Sequence, residues 1–324
     1  MEQWTAETVQ TRQARPGNAK AVALKGGLNH IQALEAESIY ILREAAAEFA
    51  RPVMLYSIGK DSSVMLRLAQ KAFYPGKIPF PLLHIDTSYK FPEMIAFRDR
   101  YTRELGAQLI VHQNRDALQA GANPFALGTQ RCCGLLKTRA LLDALEAGGF
   151  TAAFGGARRD EEKSRAKERF YSFRDAHGQW DPKNQRPELW NLFNSKINKG
   201  ESIRVFPLSN WTEFDIWSYI GAEKVKLPSI YFAHRRKVFR RDGMLLAVDR
   251  HMQPRADEPV FEATVRFRTV GDVTCTGCVE SQAATVSEVI AETAVSRLTE
   301  RGATRADDRI SEAGMEDRKR QGYF

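Results

Sequence analysis

The fold is decided by residues 53–63, which read VMLYSIGKDSS. The first of these form an apolar run with the length of a buried parallel strand, and apolar side chains then recur at helical spacing over residues 64–71. The loop between them carries Ser57, Gly59 and Ser62, which are small enough to let the backbone approach a ligand. The first N–H groups of the helix and its dipole point into the same space. The stretch therefore predicts a strand, an anion-binding loop and a helix.

Charged residues in this loop strengthen the prediction of an anion site. Lys60 adds a mobile positive charge, and Asp61 and Ser62 occupy positions where helix caps are favoured. An ordinary helix start with this composition is the alternative. The loop is not a Walker A motif, because that motif requires Gly, four residues and then Gly-Lys-Ser/Thr, whereas Asp61 follows Lys60 here.

Composition limits the classes of protein to consider. A chain of 324 residues that is 43% hydrophobic can bury a sizeable core, and we expect one main domain with a smaller appendage. No secretory signal and no apolar run of membrane-spanning length is visible, so we expect a soluble, cytoplasmic protein without membrane contact. The net charge of +8 favours an anionic ligand, but no basic stripe is interleaved with stacking aromatics, so nucleic acid is not expected to bind.

Strand and helix patterns alternate along the first two thirds of the chain. This alternation predicts an α/β fold with a doubly wound, mostly parallel sheet. Besides the strand and helix that flank the loop, the predicted strands are residues 81–86, 108–112, 152–154 and 203–208, and the predicted helices are a segment from residue 28 to residue 51 and residues 92–105, 135–147 and 210–220.

The sequence suggests three regions. Residues 1–27 lack periodicity and are interpreted as a flexible N-terminal arm. Residues 28–227 are expected to form the ligand-binding domain, with a lid-like loop at residues 175–202. Residues 228–324 lack the alternating pattern and are expected to form a C-terminal appendage. Its predicted elements are strands at residues 245–248 and 265–269 and a helix at residues 286–298, followed by a charged tail at residues 317–324.

Three polar segments directly follow predicted strands. They are the loop itself, residues 86–88 (DTS) and residues 155–159 (GGARR). Ligands of doubly wound sheets bind beyond the carboxyl ends of the strands, so we expect these segments to meet at one edge. His84, in mid-strand, is expected to be a core histidine.

The densest charge run in the chain is residues 158–169. One interpretation is a solvated helix with i,i+4 pairs such as Glu161 with Arg165. The other is an anion site, because the run follows two glycines at a strand end, where arginine forks suit phosphate or sulfate oxygens. We favour the anion site.

Several strings, taken in order, resemble a known family. The loop resembles the phosphate loop of the adenine nucleotide alpha-hydrolase superfamily, usually Ser-Gly-Gly-Lys-Asp-Ser, with Ile58 in place of the first glycine. Residues 28–324 resemble the small subunits (subunit 2) of bacterial heterodimeric sulfate adenylyltransferases, in the branch that is similar to phosphoadenosine phosphosulfate reductases. The strings that carry this resemblance begin at Ser57 (SIGKDS), Leu83 (LHIDT), Phe154 (FGGARRDEEKSRAKER), Phe206 (FPLSNWTE), Arg266 (RFRT) and Lys319 (KRQGYF).

The resemblance implies adenylyl transfer from MgATP to sulfate, which yields adenosine 5′-phosphosulfate and pyrophosphate in sulfate assimilation. It implies that the loop and Mg²⁺ hold the phosphates of ATP, that Asp86 and Thr87 approach the adenosine, and that basic side chains bind sulfate and phosphate oxygens. The residues implied for the phosphates are Ser57, Gly59, Lys60, Asp61 and Ser62, and the catalytic candidates are Lys60, Arg158, Arg159, Lys163 and Arg165.

The resemblance also implies a partner protein. A phosphosulfate anhydride is a high-energy product, and the family couples its formation to GTP hydrolysis by a separate large subunit. This sequence has no Walker A string, as expected if the partner binds GTP. The N-terminal arm, the lid-like loop and the C-terminal appendage are the candidate partner surfaces.

A thiol-dependent reductase of adenylyl sulfate or its 3′-phosphate is the alternative function. Cys132 and Cys133, with Cys275 and Cys278, resemble the pairs that ligate a four-iron cluster in one branch of those enzymes, although their C-terminal Glu-Cys-Gly motif is missing. All four cysteines of the chain fall into these two pairs, which suggests one iron–sulfur or zinc site. Unconnected buried thiols are the competing interpretation.

Overall fold

The computed structural model describes residues 28–296 and 319–322, apart from the side chains of residues 163 and 164. The expected N-terminal arm and half of the expected charged tail of residues 317–324 lie outside the described residues. The architecture is α/β with a mostly parallel sheet, as the sequence predicted.

The first sheet has six strands in the order β3-β2-β1-β4-β6-β5. All neighbouring strands are parallel except β5, which runs antiparallel to β6 at one edge. In the centre, Val53 of β1 is paired with Ala153 of β4, and Met54 of β1 with Leu82 of β2. The strands are β1 (Pro52–Leu55), β2 (Leu82–Ile85), β3 (Leu109–His112), β4 (Ala152–Phe154), β5 (Tyr171–Arg174) and β6 (Ser202–Val205).

Helices lie on this sheet because their apolar faces continue its core. The first helix and the helix that follows β1 pack against each other, and both contribute side chains to the main hydrophobic cluster. A smaller cluster forms around Val53, Leu55 and Leu83 with side chains of the helix before β4. The helices are α1 (His30–Glu48), α2 (Lys60–Phe73), α3 (Pro92–Glu104), α4 (Arg115–Gln119), α5 (Pro124–Cys133), α6 (Ala140–Gly148), α7 (Glu213–Glu223) and α8 (Val286–Val295).

A second sheet of four antiparallel strands follows, in the order β10-β9-β7-β8. Val265 and Phe267 from this part belong to the same main hydrophobic cluster as α1 and α2. The packing therefore places the second sheet on the core of the first. Its strands are β7 (His234–Arg241), β8 (Met244–Ala247), β9 (Phe261–Arg266) and β10 (Val279–Glu280).

Residues 319–322 return to the first sheet. Lys319 lies almost fully buried, and its ammonium group is paired with the carboxylate of Glu168. The backbone N–H of Trp180 donates to the carbonyl of Lys319 at 3.4 Å, and the ammonium lies 4.7 Å from the centre of the Trp180 ring. Glu168 also accepts from Nη2 of Arg174 at 3.1 Å. The pairing of Lys319 with Glu168 therefore connects residues 319–322 to the charge run.

Several elements differ from the sequence prediction. The predicted helix over residues 135–147 is a π-helical segment, Gly134–Arg139, followed by α6. Helix α7 begins at Glu213 rather than residue 210, because Thr212 and Asp215 form a capping box. Strands β5, β7 and β10 were not predicted. In β7 the many charged residues hide the alternation of buried and exposed positions, and β5 and β10 are only four and two residues long.

Candidate functional site

The loop after β1 is held in shape by its own side chains. The hydroxyl of Ser62 donates to the carbonyl of Gly59 at 3.0 Å, and the Ser57 hydroxyl donates to the Ser62 hydroxyl at 3.2 Å. Helix α2 begins directly after Gly59, its N-cap residue, which has no side chain to cap it. The loop therefore presents small residues and a helix N-terminus at the carboxyl edge of the sheet, as the sequence predicted.

Ile58, which stands in place of the first glycine of the usual loop, does not obstruct the loop. Its side chain is fully buried in the main hydrophobic cluster, so it does not enter the space above the loop. The backbone turns at Ile58 with φ of +68°, in the left-handed region that favours glycine. Burial of the side chain offsets that conformational cost.

The charged residues of the loop are paired. The Lys60 ammonium lies 3.3 Å from one oxygen of Asp61, and Nε of Arg158 donates to the other oxygen at 2.6 Å. Lys60 and Arg158 are each about 1% exposed. Burial would raise the pKa of Asp61, but Lys60 and Arg158 outweigh it and lower that pKa, so the carboxylate stays ionised.

The glycine pair after β4 lies against the loop. A β-carbon on Gly156 would be 3.3 Å from the backbone nitrogen of Ser62 and from backbone and side-chain carbons of Asp61. A side chain at position 156 would therefore press on the start of α2. The segments that follow β1 and β4 therefore meet at one edge of the sheet, as the sequence predicted.

The basic residues of the charge run, residues 158–169, do not all face the loop. Arg165 is buried and lines the cavity above the loop, and its Nε lies 3.4 Å from Glu161. Arg159 instead donates to Asn210 at 2.6 Å and stacks over the ring of Phe170. Lys163 begins a short 3₁₀ segment, and its side chain lies outside the described residues. The structure thus brings Arg158 and Arg165 to the loop and directs Arg159 elsewhere.

The cavity is bounded by the loop and by the edges of neighbouring elements. It lies at the carboxyl ends of β1 and β2, between the loop and segments from the charge run, the second sheet and the π-helical segment. The polar residues that line it are Ser57, Lys60, Asp61, Ser62, His84, Lys90, Lys137, Glu161, Arg165, Tyr231 and Thr269.

Residues 86–88, the segment after β2, contribute to the site through contacts with other residues of the protein. Asp86 accepts from the backbone N–H of Ser88 at 2.8 Å, which shapes the turn. Thr87 is buried, and its hydroxyl donates to Asp272 at 2.7 Å. His84 is a core histidine whose Nδ1 lies 2.8 Å from the carbonyl of Tyr56, and burial lowers its pKa to about 4. The predicted approach of Asp86 and Thr87 to adenosine stays a prediction.

Sequence reasoning missed a lysine pair in the cavity wall. The ammonium groups of Lys90 and Lys137 each lie 2.8 Å from a different oxygen of Asp272. Burial would raise the pKa of Asp272, but the two lysines lower it far below its ordinary value. Lys90 could have been considered from the sequence, because it lies only four residues after Asp86. Lys137 could not, because it lies in a π-helical turn that the sequence pattern does not show.

The four cysteines give no support to a shared metal site. In residues 28–296 and 319–322, no three His, Cys, Asp or Glu side chains form a group that could hold a metal ion. All four thiols are buried, Cys275 beside the carbonyl of Asp272 and Cys278 beside that of Leu245. Burial raises the pKa of Cys132 to about 11 and of Cys278 to about 12.

None of the helices in the described part of the chain is long and apolar enough to cross a bilayer.

Comparisons with known proteins agree with the resemblance. The profile of the phosphoadenosine phosphosulfate reductase domain matches residues 51–278. Sulfate adenylyltransferase subunit 2 of Mycobacterium tuberculosis is 70% identical over 92% of this chain and 95% of that protein. The protein of the same name from Mycolicibacterium vanbaalenii is 69% identical over the same shares. A solved phosphoadenylyl-sulfate reductase from Candida auris, in its phosphate complex, aligns with a TM-score of 0.45 at 17% identity over 70% of this chain and 98% of that chain.

The extent of these matches decides the family. The profile covers most of the chain, and the mycobacterial relatives are similar over nearly all of it. The chain belongs to the sulfate adenylyltransferase subunit 2 family of nucleotidyltransferases.

Proposed function

We propose that this chain transfers the adenylyl group of MgATP to sulfate and forms adenosine 5′-phosphosulfate and pyrophosphate. The observation that carries the proposal is the cavity in which the N-terminus of α2, Lys60 and Arg165 surround one space. Such a space suits a polyphosphate. The relatives named sulfate adenylyltransferase subunit 2 support ATP and sulfate as the substrates.

The reaction needs no protein nucleophile. A sulfate oxygen attacks the α-phosphorus, the bond from that phosphorus to the α,β-bridging oxygen breaks, and pyrophosphate leaves with the electron pair. The protein must hold both anions in line and stabilise the charge that grows on pyrophosphate. We assign the second task to Lys60, the helix N-terminus and the backbone near Gly156, because Lys60 and Gly156 line the cavity. Asp86 and Thr87, after β2, remain our candidates near the adenosine.

Magnesium fits the carboxylates at this end of the cavity. Mg²⁺ usually binds one or two carboxylates together with phosphate oxygens and water. Asp61 and Glu161 both line the cavity, and the lowered pKa of Asp61 keeps it ionised. When bound with ATP, the ion would supply positive charge to the phosphate oxygens. Asp61 and Glu161 are the residues that would hold it.

A large GTPase subunit is the proposed partner. Adenosine phosphosulfate lies uphill of ATP and sulfate, so net synthesis requires coupling to another reaction. The relatives are named subunit 2, which implies a partner subunit. The missing Walker A string in this chain supports GTP binding by that partner.

The test is a reconstituted assay with a charge-removing variant. The chain and its large subunit are mixed with MgATP, GTP, sulfate and pyrophosphatase, and adenosine phosphosulfate and phosphate are measured. Lys60→Met should lower kcat roughly 10²- to 10³-fold, because the leaving pyrophosphate loses a buried positive charge. Lys77→Met removes a lysine from the surface and should keep full activity.

Two outcomes would count against the proposal. Release of sulfite from adenosine phosphosulfate with thioredoxin, without any need for ATP, would identify a reductase. Full activity of Lys60→Met would remove the loop from the mechanism. Circular dichroism of Lys60→Met separates lost chemistry from lost folding.

A further inference from the structure

The lid-like loop exposes a cluster of large apolar side chains. Leu189, Trp190 and Leu192 are 62%, 86% and 66% exposed. Tyr40 of α1, also exposed, adjoins them, because its hydroxyl donates to the carbonyl of Asn191 at 3.4 Å. No other four neighbouring positions in the described residues hold three large apolar side chains this exposed. Contiguous apolar patches mark interaction sites, whereas single exposed apolar residues are ordinary. The apolar patch is defined as Tyr40, Leu189, Trp190 and Leu192.

The backbone presents this patch in a conformation that is costly for tryptophan. Trp190 and Asn191 both lie in the left-handed region, with φ of +56° and +57°. Asparagine tolerates that region, but tryptophan rarely adopts it. Burial of the side chain does not offset the cost here, because the indole of Trp190 is exposed. Strained backbone of this kind clusters at the binding and switch regions of proteins.

Contacts on both sides fix the turn to the edge of the first sheet. The Glu188 carboxylate accepts from the backbone N–H groups of Phe170 and Tyr171 at 3.0 and 2.7 Å. After the turn, the ring of Phe193 stacks on that of Tyr171, with 4.7 Å between centres and 8° between planes. The exposed residues therefore lie between two anchors. Such preorganisation reduces the conformational freedom that is lost when a partner binds.

The charges of the lid-like loop indicate which kind of surface fits it. All four of its carboxylates accept hydrogen bonds from neighbouring groups of this chain; they belong to Asp175, Asp181, Glu188 and Glu201. Within the described residues, no ion pair or hydrogen bond holds the ammonium groups of its three exposed lysines, which are Lys183, Lys196 and Lys199. These lysines flank the apolar patch in the chain. A complementary surface is therefore apolar at its centre and acidic at its rim.

We propose that the apolar patch docks the large partner subunit of this chain, through an apolar pocket of that subunit rimmed by carboxylates. This inference rests on the proposed function and adds the surface by which its two subunits meet. The indole of Trp190 fills the pocket, since tryptophan is enriched at the residues that dominate binding energy. A second copy of this chain is a poorer occupant, because each copy carries a net charge of +8 and the same unpaired lysines.

The experiment measures the affinity and rates of binding between the purified chain and the purified large subunit by surface plasmon resonance. Trp190→Ala should raise the Kd at least about 30-fold, mainly through faster dissociation. Trp190→Phe, which keeps an aromatic ring, should recover most of the affinity. Phe125→Ala removes another exposed aromatic ring, on α5, and is the matched control that should bind normally.

The lysines are tested in the same assay. The double variant Lys196→Glu, Lys199→Glu should slow association about 10-fold at low salt, and added salt should reduce the difference by screening the charges. An association rate that does not change at low salt would overturn the acidic rim of the proposed partner surface.

Hydrogen exchange gives a measurement that needs no variant. Amide groups of residues 189–193 should exchange more slowly in the complex than in the chain alone. Unchanged exchange, or normal affinity of a folded Trp190→Ala protein, would overturn the docking surface even if the complex makes adenosine phosphosulfate. A dimer of the chain alone that Trp190→Ala dissociates, with normal affinity for the large subunit, would also overturn it. So would slow exchange of residues 189–193 in the chain alone that is lost when residues 1–27 are removed. A complex that depends on Trp190 but forms no adenosine phosphosulfate would support the surface and reject the proposed reaction alone.

Discussion

Ile58 shows how one residue fixes the shape of the phosphate loop. A β-branched side chain is unusual at a left-handed φ of +68°, a conformation that costs about 1–2 kcal/mol for a residue other than glycine. The side chain is fully buried, and such burial is worth about 1.5–3 kcal/mol. The two effects nearly balance, so isoleucine can stand where related loops have glycine.

A pair of variants separates these two effects. Ile58→Ala and Ile58→Gly both remove the buried side chain, and each should lower the free energy of unfolding by about 2–4 kcal/mol. Glycine also relieves the backbone, so Ile58→Gly should be more stable than Ile58→Ala by about 1 kcal/mol. Urea unfolding measures the difference. If Ile58→Gly were the less stable of the two, the backbone at this position would not be strained.

His84 makes stability depend on pH. Burial lowers its pKa from about 6.5 in the unfolded chain to about 4, so the unfolded chain binds the proton first as the pH falls. The stability that neutral His84 provides is therefore complete above pH 6.5 and is lost as the pH falls towards 4. Between pH 7 and pH 5 the free energy of unfolding should fall by about 2 kcal/mol from this residue.

The matched variant is His84→Asn, whose amide can still donate to the carbonyl of Tyr56. Urea unfolding at pH 7 and pH 5 should show a smaller loss for the asparagine variant, by about 2 kcal/mol. An identical pH dependence in both proteins would mean that His84 titrates normally in the folded state.

At the scale of elements, the site depends on the contact between the strand end after β4 and the start of α2. A β-carbon added at Gly156 would lie only 3.3 Å from atoms of Asp61 and Ser62, which is tighter than ordinary van der Waals contact. Any side chain here must displace the first turn of α2. Displacements well below 1 Å at a reacting centre are costly, because orientation contributes much of the rate.

Gly156→Ala should therefore lower kcat/KM for ATP about 10-fold while the fold is kept. Steady-state kinetics of the reconstituted complex measure this loss. Gly134→Ala is the matched control, since a β-carbon there meets no atom within 4 Å, and it should keep normal kinetics. A fully active Gly156→Ala enzyme would show that the loop has room to move.

The sequence was informative about elements where local rules agreed. The buried strands β1, β2 and β4 were predicted because short apolar runs with turn signals leave few alternatives. The π-helical turn could not be predicted, because no local pattern distinguishes it from an α-helix, and its contacts include distant ones such as that of Lys137 with Asp272. For the same reason the sequence indicated the phosphate loop but missed the lysine pair, whose members lie 47 positions apart in the chain.

At the scale of the whole molecule, hydrophobic packing and long-range ion pairs join the C-terminal region to the ligand-binding domain, which the sequence suggested were separate. Phe267 and Val289 from the C-terminal region lie in the same hydrophobic cluster as Met54 and Val64. Asp272 connects that region to the segment after β2, and Lys319 connects the last described residues to Glu168. The expected division after residue 227 stays a prediction, but the cavity takes residues from both sides of it.

The pairing of Lys319 with Glu168 can form only late in the synthesis of the chain. The two residues are 151 positions apart, and ribosomes add roughly 5–20 residues per second. The carboxylate of Glu168 therefore exists for roughly 8–30 s before its lysine has been made. During that interval Arg174 is the cationic partner of Glu168 that has already been made, and the second cation is missing. The charge run next to the phosphate loop gains this anchor only after at least 319 residues have been joined.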